Sequence, residues 1–279
     1  MEHAIFLTFD DAYFRYAKTC LLSLDQNYPD HPVILAMYDG SDPDIVQFLH
    51  SIRSLKIIHP ERGALNLDSF KPGLVASPKV FNRYILWTDT FSEYDNILHL
   101  DVDTLVLRPL DALFEKKDFF AVHDYTPFGF TLFKREHYQD ETLAKQLQKD
   151  RIALPIPEIK MMNAGVFIIP ARYRRQACFD ELYALTETYN AYTSFADQAA
   201  ISLWCMKNNI TFSDEIRFNF QLPFLGNTNM FYDESIQKNF STDAVLIAHF
   251  TWWKENVYYK RFLEYADFMR NIESFMQHN

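Results

Sequence analysis

AIFLTFDDAYFRYAKTCLLSL, residues 4 to 24, is the stretch that decides the fold. Its apolar run from Ala4 to Phe9 is stopped by Asp10-Asp11, and from Tyr13 to Leu24 apolar residues recur at helical spacing. The segment therefore reads as strand, turn and helix. Outward along the chain, Val33 to Met37 repeats the strand signal, Pro43-Asp44 opens a helix through Ile52, and Leu55 to Ile58 gives a third short strand before Pro60. The order βαβαβ predicts a parallel, doubly wound sheet with right-handed crossovers. Ligands of such sheets bind beyond the carboxyl ends of the strands, where Asp10-Asp11 and Asp101-Val102-Asp103 both fall.

The second acidic pair ends the apolar run Ile97-Leu98-His99-Leu100. Strand side chains alternate faces, so an Asp-x-Asp leaving a buried strand aims both carboxylates into the crevice past the sheet edge. Two hard oxygen ligands there suit a divalent metal, which would neutralise a diphosphate that the carboxylates alone repel. The pair points to nucleotide chemistry without a basic cradle; the alternative reading is a solvated turn.

Residues 60 to 78 read as a loop over the site, and Pro78 starts a helix through about Trp87. Phe119 to Val122 is a strand, 136 to 150 a charged helix, Gly165 to Ile169 a buried strand, and helices follow over 174 to 193 and 196 to 207. No repeat, linker or low-complexity stretch interrupts the 279 residues, and 48% hydrophobic content suffices for one large core. With 27 Lys+Arg against 37 Asp+Glu the net charge is -10, which disfavours nucleic acid as a partner. Cys20, Cys178 and Cys205 are widely spaced and odd in number, so they read as reduced, buried thiols. The first residues, MEHAIF, lack a basic segment and a long apolar core, and no window reaches the ~18 apolar residues of a spanning helix. A cytoplasmic location is expected.

Four blocks stand in order along the chain: VFNRYILWTDTFSEYDNILHLDVDTLVLRPL at 80 to 110, MNAGVFII at 162 to 169, ADQAAI at 196 to 201, and RFNF at 217 to 220 with His249 beyond it. In this order they resemble family 8 glycosyltransferases, the first being similar to the segment in which an Arg-bearing helix precedes the metal-binding Asp-x-Asp strand. The resemblance implies an α/β protein of the GT-A glycosyltransferase fold, with a Rossmann-like mixed central sheet flanked by helices. It implies a nucleotide-sugar-binding half over 1–110 and a donor-sugar and acceptor half of the same domain over 111–256, while 257–279 reads as a helical tail from its own residues. The activity implied is metal-dependent, retaining transfer of a hexose from a UDP-sugar donor to a glycan or lipid-linked acceptor.

By the same resemblance, Asp101, Asp103 and His249 are the metal ligands. Imidazole in the set favours Mn2+ over Mg2+, its alternative. Thr8 and Asp10 would meet the uracil edge or ribose, and Tyr13 would stack on the base; Ala12 stands where many members carry Asn. Arg83 would contact the diphosphate or the donor sugar, with Lys79 a second candidate. Val102, Asn163 and Ala164 would line the donor. Gly165 allows either close approach of a ligand or an unusual backbone angle. Asp197 would hold donor hydroxyls, Gln198 would lie near the reacting carbon, and Asp124 would contact a sugar or acceptor hydroxyl. Because an amide is a poor nucleophile, a front-face reaction is expected, in which the departing diphosphate helps to deprotonate the acceptor.

The chain departs from the family after His249. Members often follow this His with Gly and then Lys, whereas here the order is Phe250-Thr251-Trp252-Trp253-Lys254. Lys254 remains a candidate phosphate contact, and Trp252 and Trp253 are candidates to flank the acceptor. The tail from Val257 reads as an amphipathic helix that packs on its own domain or meets a membrane surface peripherally. The implied setting is synthesis of bacterial lipopolysaccharide or another surface glycan. A glycogenin-like self-glycosylating initiator is an alternative, although no tyrosine lies between Gln198 and Met230. Another is an inactive nucleotide-sugar-binding protein.

Overall fold

A computed structural model describes residues 2–60, 78–124, 132–152, 155–156, 159–221 and 245–250. The strands are β1 (His3–Phe9), β2 (Val33–Tyr38), β3 (Leu55–Ile58), β4 (Asn96–Leu100), β5 (Thr104–Val106), β6 (Phe120–His123), β7 (Met162–Pro170), β8 (Phe220–Gln221) and β9 (Ile247–His249). The α-helices are α1 (Phe14–Asn27), α2 (Pro43–Ser51), α3 (Asp111–Phe114), α4 (Glu141–Lys149), α5 (Gln176–Tyr189) and α6 (Ala196–Lys207).

Six strands form one sheet in the order β3-β2-β1-β4-β7-β6. The first four are mutually parallel, as the βαβαβ order predicts, but β7 runs antiparallel to both β4 and β6. The sheet is thus mixed, as the resemblance implied, and the parallel order read from βαβαβ holds for its first four strands. Both faces are covered. Ile5, Leu7, Ile34, Ala36, Leu98, Leu100, Val166 and Ile168 point to the side packed by α1 and α2. Ala4, Phe6, Leu35, Met37, Ile97, Phe167 and Ile169 point to the side packed by α5, α6 and the 3-10 segment Pro78–Trp87. Burial on both faces explains why these strands read as nearly continuous apolar runs.

Three departures shape the site. β4 stops at Leu100, so Asp101-Val102-Asp103 is a turn, closed by Thr104 N–H to Asp101 O at 3.2 Å. The two carboxylates converge through that turn, not through strand alternation. The segment Pro78–Trp87 is 3-10 rather than α-helical, and the charged helix expected over 136 to 150 is the shorter α4, preceded by a 3-10 turn at Arg135–His137. Finally, β5, β9 and β8 form a small second sheet that sequence periodicity did not show. Strands of two or three residues are too short to display a period of two.

Cys20, Cys178 and Cys205 are free and buried, as expected. No helix among the described residues is long and apolar enough to cross a membrane. Residues 61–77 of the loop expected over 60 to 78, and the tail 257–279, lie outside the described residues.

Candidate active site

The small sheet completes the acidic turn. β5 begins one residue after Asp103 and pairs antiparallel with β9, setting Thr104 opposite His249. Phe250 N–H adds a bond to Asp103 O at 2.9 Å. His249 Nε2 consequently lies 3.4 Å from Asp103 Oδ1 and 3.9 Å from Asp101 Oδ2. One ligand atom from each of the three residues falls within 4.8 Å of the others. The donor set, two carboxylate oxygens and an imidazole nitrogen, suits a divalent transition metal. His249 Nδ1 meets Asn219 Oδ1 at 3.0 Å, the kind of outer hydrogen bond that holds a ligating imidazole in place.

Gly165 makes room for that ring. A Cβ there would collide with the His249 imidazole. The small residue is explained by close packing of a protein side chain, and the Gly165 φ lies outside the left-handed region considered from sequence.

Arg83 joins the acidic turn to α6. It is buried, with Nη2 2.9 Å from Asp101 Oδ1 and Nε 3.2 Å from Asp197 Oδ2. Its Nη1 donates to Ala164 O at 2.8 Å and its Nε to Val80 O at 3.1 Å. Because the Nε proton is given to Val80, Asp197 Oδ2 feels the guanidinium charge yet has no hydrogen-bond partner among the described residues. Burial pushes the Asp197 carboxyl up from its ordinary range, Arg83 pulls it down, and nearby Asp101 pushes it up again, leaving it raised. For Asp101 burial also acts upward, but Arg83, His99 and His249 outweigh it and hold the carboxyl well below the usual range. His99 Nε2 lies 3.2 Å from Asp101 Oδ1; burial, followed by the charge of Arg83, lowers its pKa to about 4, so near neutral pH the ring is uncharged and donates that bond. One guanidinium thus serves the carboxylates of Asp101 and Asp197 beside that of Asp103, and the excess of negative charge fits a bound divalent cation.

The residues expected on the donor side meet where the pairing of β6 with β7 is interrupted. Ala121 pairs with Phe167, but His123 pairs with Met162, so Asn163-Ala164-Gly165 leaves the β6 ladder. The freed N–H groups bond to side chains instead. Ala164 N–H donates to Gln198 Oε1 at 3.0 Å and Gly165 N–H to Asn163 Oδ1 at 3.0 Å. Gln198 Nε2 donates to Asp124 Oδ2 at 2.8 Å, and Asn163 Nδ2 lies 3.4 Å from the same oxygen. Gln198 and Ser202 are one turn apart on α6, and Ser202 Oγ accepts from Met162 N–H at 3.1 Å. A helical turn of four residues rises about 6 Å and two strand residues about 6.6 Å, so the spacings match.

On the β1 side, Thr8 ends up next to last in its strand. Asp10 Oδ1 caps the 3-10 turn Asp11–Tyr13 by accepting from Tyr13 N–H at 3.2 Å. Its Oδ2 lies 3.0 Å from Lys79 Nζ, which also reaches Asp39 Oδ2 at 3.1 Å. The Tyr13 ring tilts against Tyr16, with centroids 5.7 Å apart. Lys79 and Arg83, four residues apart, thereby connect the ends of β1 and β2 to the acidic turn.

Sequence reasoning brought together Asp101, Asp103, His249, Arg83, Asp124, Asn163, Ala164, Asp197 and Gln198, and these do converge. It missed His99 and Asn219, although Asn219 lies inside the RFNF block. Lys254, Trp252 and Trp253 lie outside the described residues.

A sequence model of the family described as Glycosyl transferase family 8 matches residues 4–255. Among solved structures, the chain is similar to galactosyltransferase LgtC in complex with donor and acceptor sugar analogs, with TM-score 0.62 and 20% identity over 94% of each chain. An active-site mutant of LgtC aligns with TM-score 0.65 and 21% identity, covering 94% of this chain and 95% of that one. Mouse xyloside xylosyltransferase 1 aligns with TM-score 0.55 and 15% identity, covering 90% and 98%. These likenesses show the fold, the mixed α/β GT-A architecture. No protein with curated function matches in sequence.

Proposed function

The chain belongs to glycosyl transferase family 8, and on that basis we propose that it moves a hexose, glucose or galactose, from a UDP-sugar to a glycan hydroxyl with retention of configuration. The observation that carries this reading is the convergence of Asp101, Asp103 and His249 beside the buried Arg83–Asp197 pair. In it the three would hold Mn2+, or Mg2+ in its place, with Val102 in the turn between the two aspartates. When bound, the cation supplies charge neutralisation for the diphosphate leaving group.

The chain's own residues do the rest. Arg83 fixes the relative positions of Asp101 and Asp197. Asp197, with a buried oxygen that lacks a hydrogen bond among the described residues, accepts from donor hydroxyls. Asn163, Ala164, Gln198 and Asp124 hold the sugar where the pairing of β6 with β7 breaks. Gln198, with both ends of its amide occupied, acts by positioning and not by attack. The new bond forms from the acceptor oxygen to the anomeric carbon as the bond to the phosphate oxygen breaks, and the acceptor proton passes to the departing diphosphate. Thr8, Asp10 and Tyr13 take the nucleoside, so residues 1–110 carry the nucleotide and 111–256 the sugar and acceptor. Lys254 would reach phosphate. A surface glycan or lipid-linked oligosaccharide, as in lipopolysaccharide synthesis, is the acceptor class, met at the cytoplasmic side of a membrane.

Incubating the full chain with a panel of UDP-sugars and Mn2+ tests the reading. UDP should be released from a UDP-hexose and release should stop on chelation. Tight binding of every donor without release would favour a non-catalytic binder instead.

A further inference from the structure

We infer that Asn219 is a positioning residue that decides which nitrogen of His249 faces the cation and ties that choice to the amides on the donor side. The inference rests on the reading of Asp101, Asp103 and His249 as a metal site, and its argument is one of hydrogen-bond polarity.

Gly165 N–H can only donate, so the atom of Asn163 that it meets at 3.0 Å is the oxygen, Oδ1. That same Oδ1 lies 2.9 Å from the Asn219 amide, which must therefore present its nitrogen, Nδ2. The other end of the Asn219 amide is then its oxygen, 3.0 Å from His249 Nδ1. An oxygen accepts, so Nδ1 carries the proton. In the neutral ring Nε2 is left with its lone pair, aimed between Asp103 Oδ1 at 3.4 Å and Asp101 Oδ2 at 3.9 Å. The opposite amide orientation would set two oxygens against each other at 2.9 Å in a side chain that is wholly buried. One backbone N–H on β7, three groups away, thus selects the ligating tautomer.

The neighbouring backbone N–H does the same for the donor side. Ala164 N–H fixes Gln198 Oε1, which turns Gln198 Nε2 onto Asp124 Oδ2 at 2.8 Å, and Asn163 Nδ2 reaches that same oxygen at 3.4 Å. A continuous series of polar contacts runs from His249 through Asn219, Asn163 and Asp124 to Gln198. Among the described residues Asn219 is the hydrogen-bond partner of the imidazole Nδ1, and its other end meets the amide of Asn163.

Full-length protein labelled with 15N-histidine, metal-free and at alkaline pH, tests this by two-bond 1H–15N correlation, with the His249 signal assigned by its loss in His249→Gln. The expected spectrum has the proton on Nδ1. In Asn219→Ala, confirmed as folded by thermal unfolding, the tautomers should mix, and Mn2+ affinity measured by calorimetry should fall about 10- to 100-fold. Asn219→Asp keeps an acceptor for Nδ1–H and should recover the tautomer, while its second oxygen, now facing Asn163 Oδ1, lowers stability and leaves the affinity only partly restored. A proton on Nε2 in the unmodified protein, or wild-type Mn2+ affinity in folded Asn219→Ala, would overturn the inference. If Asn219→Ala does not fold, the tautomer of the unmodified protein decides. Absence of any Mn2+ binding by that protein would sink the metal reading alone, since the tautomer is measured without metal.

Discussion

Arg83 is the residue on which the site's charges balance. Sequence placed it at the diphosphate or sugar; in the fold its guanidinium spans Asp101 and Asp197. Replacing it with methionine leaves buried carboxylates without their cation, and we expect a loss of about 3–5 kcal/mol in urea unfolding of metal-free protein at neutral pH. The pH dependence follows from sign. The depressed Asp101 carboxyl contributes stability that is fully present above the unfolded carboxylate range and lost as pH falls through the lower folded value. The gap between Arg83→Met and the unmodified protein should therefore narrow below about pH 4; a gap that widened in acid would contradict the pairing. Asp197→Ala should keep UDP affinity while turnover drops at least about 100-fold, as removal of a transition-state contact does. Unchanged turnover would remove Asp197 from the reaction. What sequence could not supply at this scale was the reason for Gly165. The ring that needs the space belongs to His249, 84 positions later, and only the pairing of β5 with β9 brings it there.

The elements differ in how plainly they announce themselves. β1 and β2 were legible as apolar runs bounded by Asp or Pro, and α1 by its helical period. β5, β8 and β9 were not, and they carry the third candidate metal ligand. The Asp-x-Asp was correctly located but wrongly explained, since chain direction changes at Asp101 and the turn, not the strand, brings the carboxylates together. Helix α6 illustrates a subtler limit. Its helical spacing was readable, yet the register that sets Gln198 and Ser202 against Ala164 and Met162 depends on the break in the β6–β7 pairing. Ser202→Ala would strand the buried Met162 N–H, and stability should fall by about 1–3 kcal/mol. Equilibrium urea unfolding reads this directly, and an unchanged midpoint would mean that the helix is held by packing alone.

At the scale of the molecule, a doubly covered sheet carries its acidic groups at the carboxyl ends of β1, β2 and β4, on a chain of net charge -10. A UDP-sugar is itself anionic, so both the local cluster and the overall field oppose its approach unless a cation intervenes. The strand–helix alternation in the first third foretold this crevice. The antiparallel β7, which carries the donor-side amides into it, was foretold only as a buried strand whose direction no local pattern encodes. The central claim is that Asp101, Asp103 and His249 hold a divalent ion that anchors UDP. The most direct test is the affinity of the full chain for UDP, measured by calorimetry with and without Mn2+, in the unmodified protein and in Asp103→Asn. Mn2+ should raise UDP affinity at least about tenfold in the former, in line with the affinity that a ligand set confers, and have little effect in the latter. Equal UDP affinity with and without Mn2+ in the unmodified protein would contradict the account.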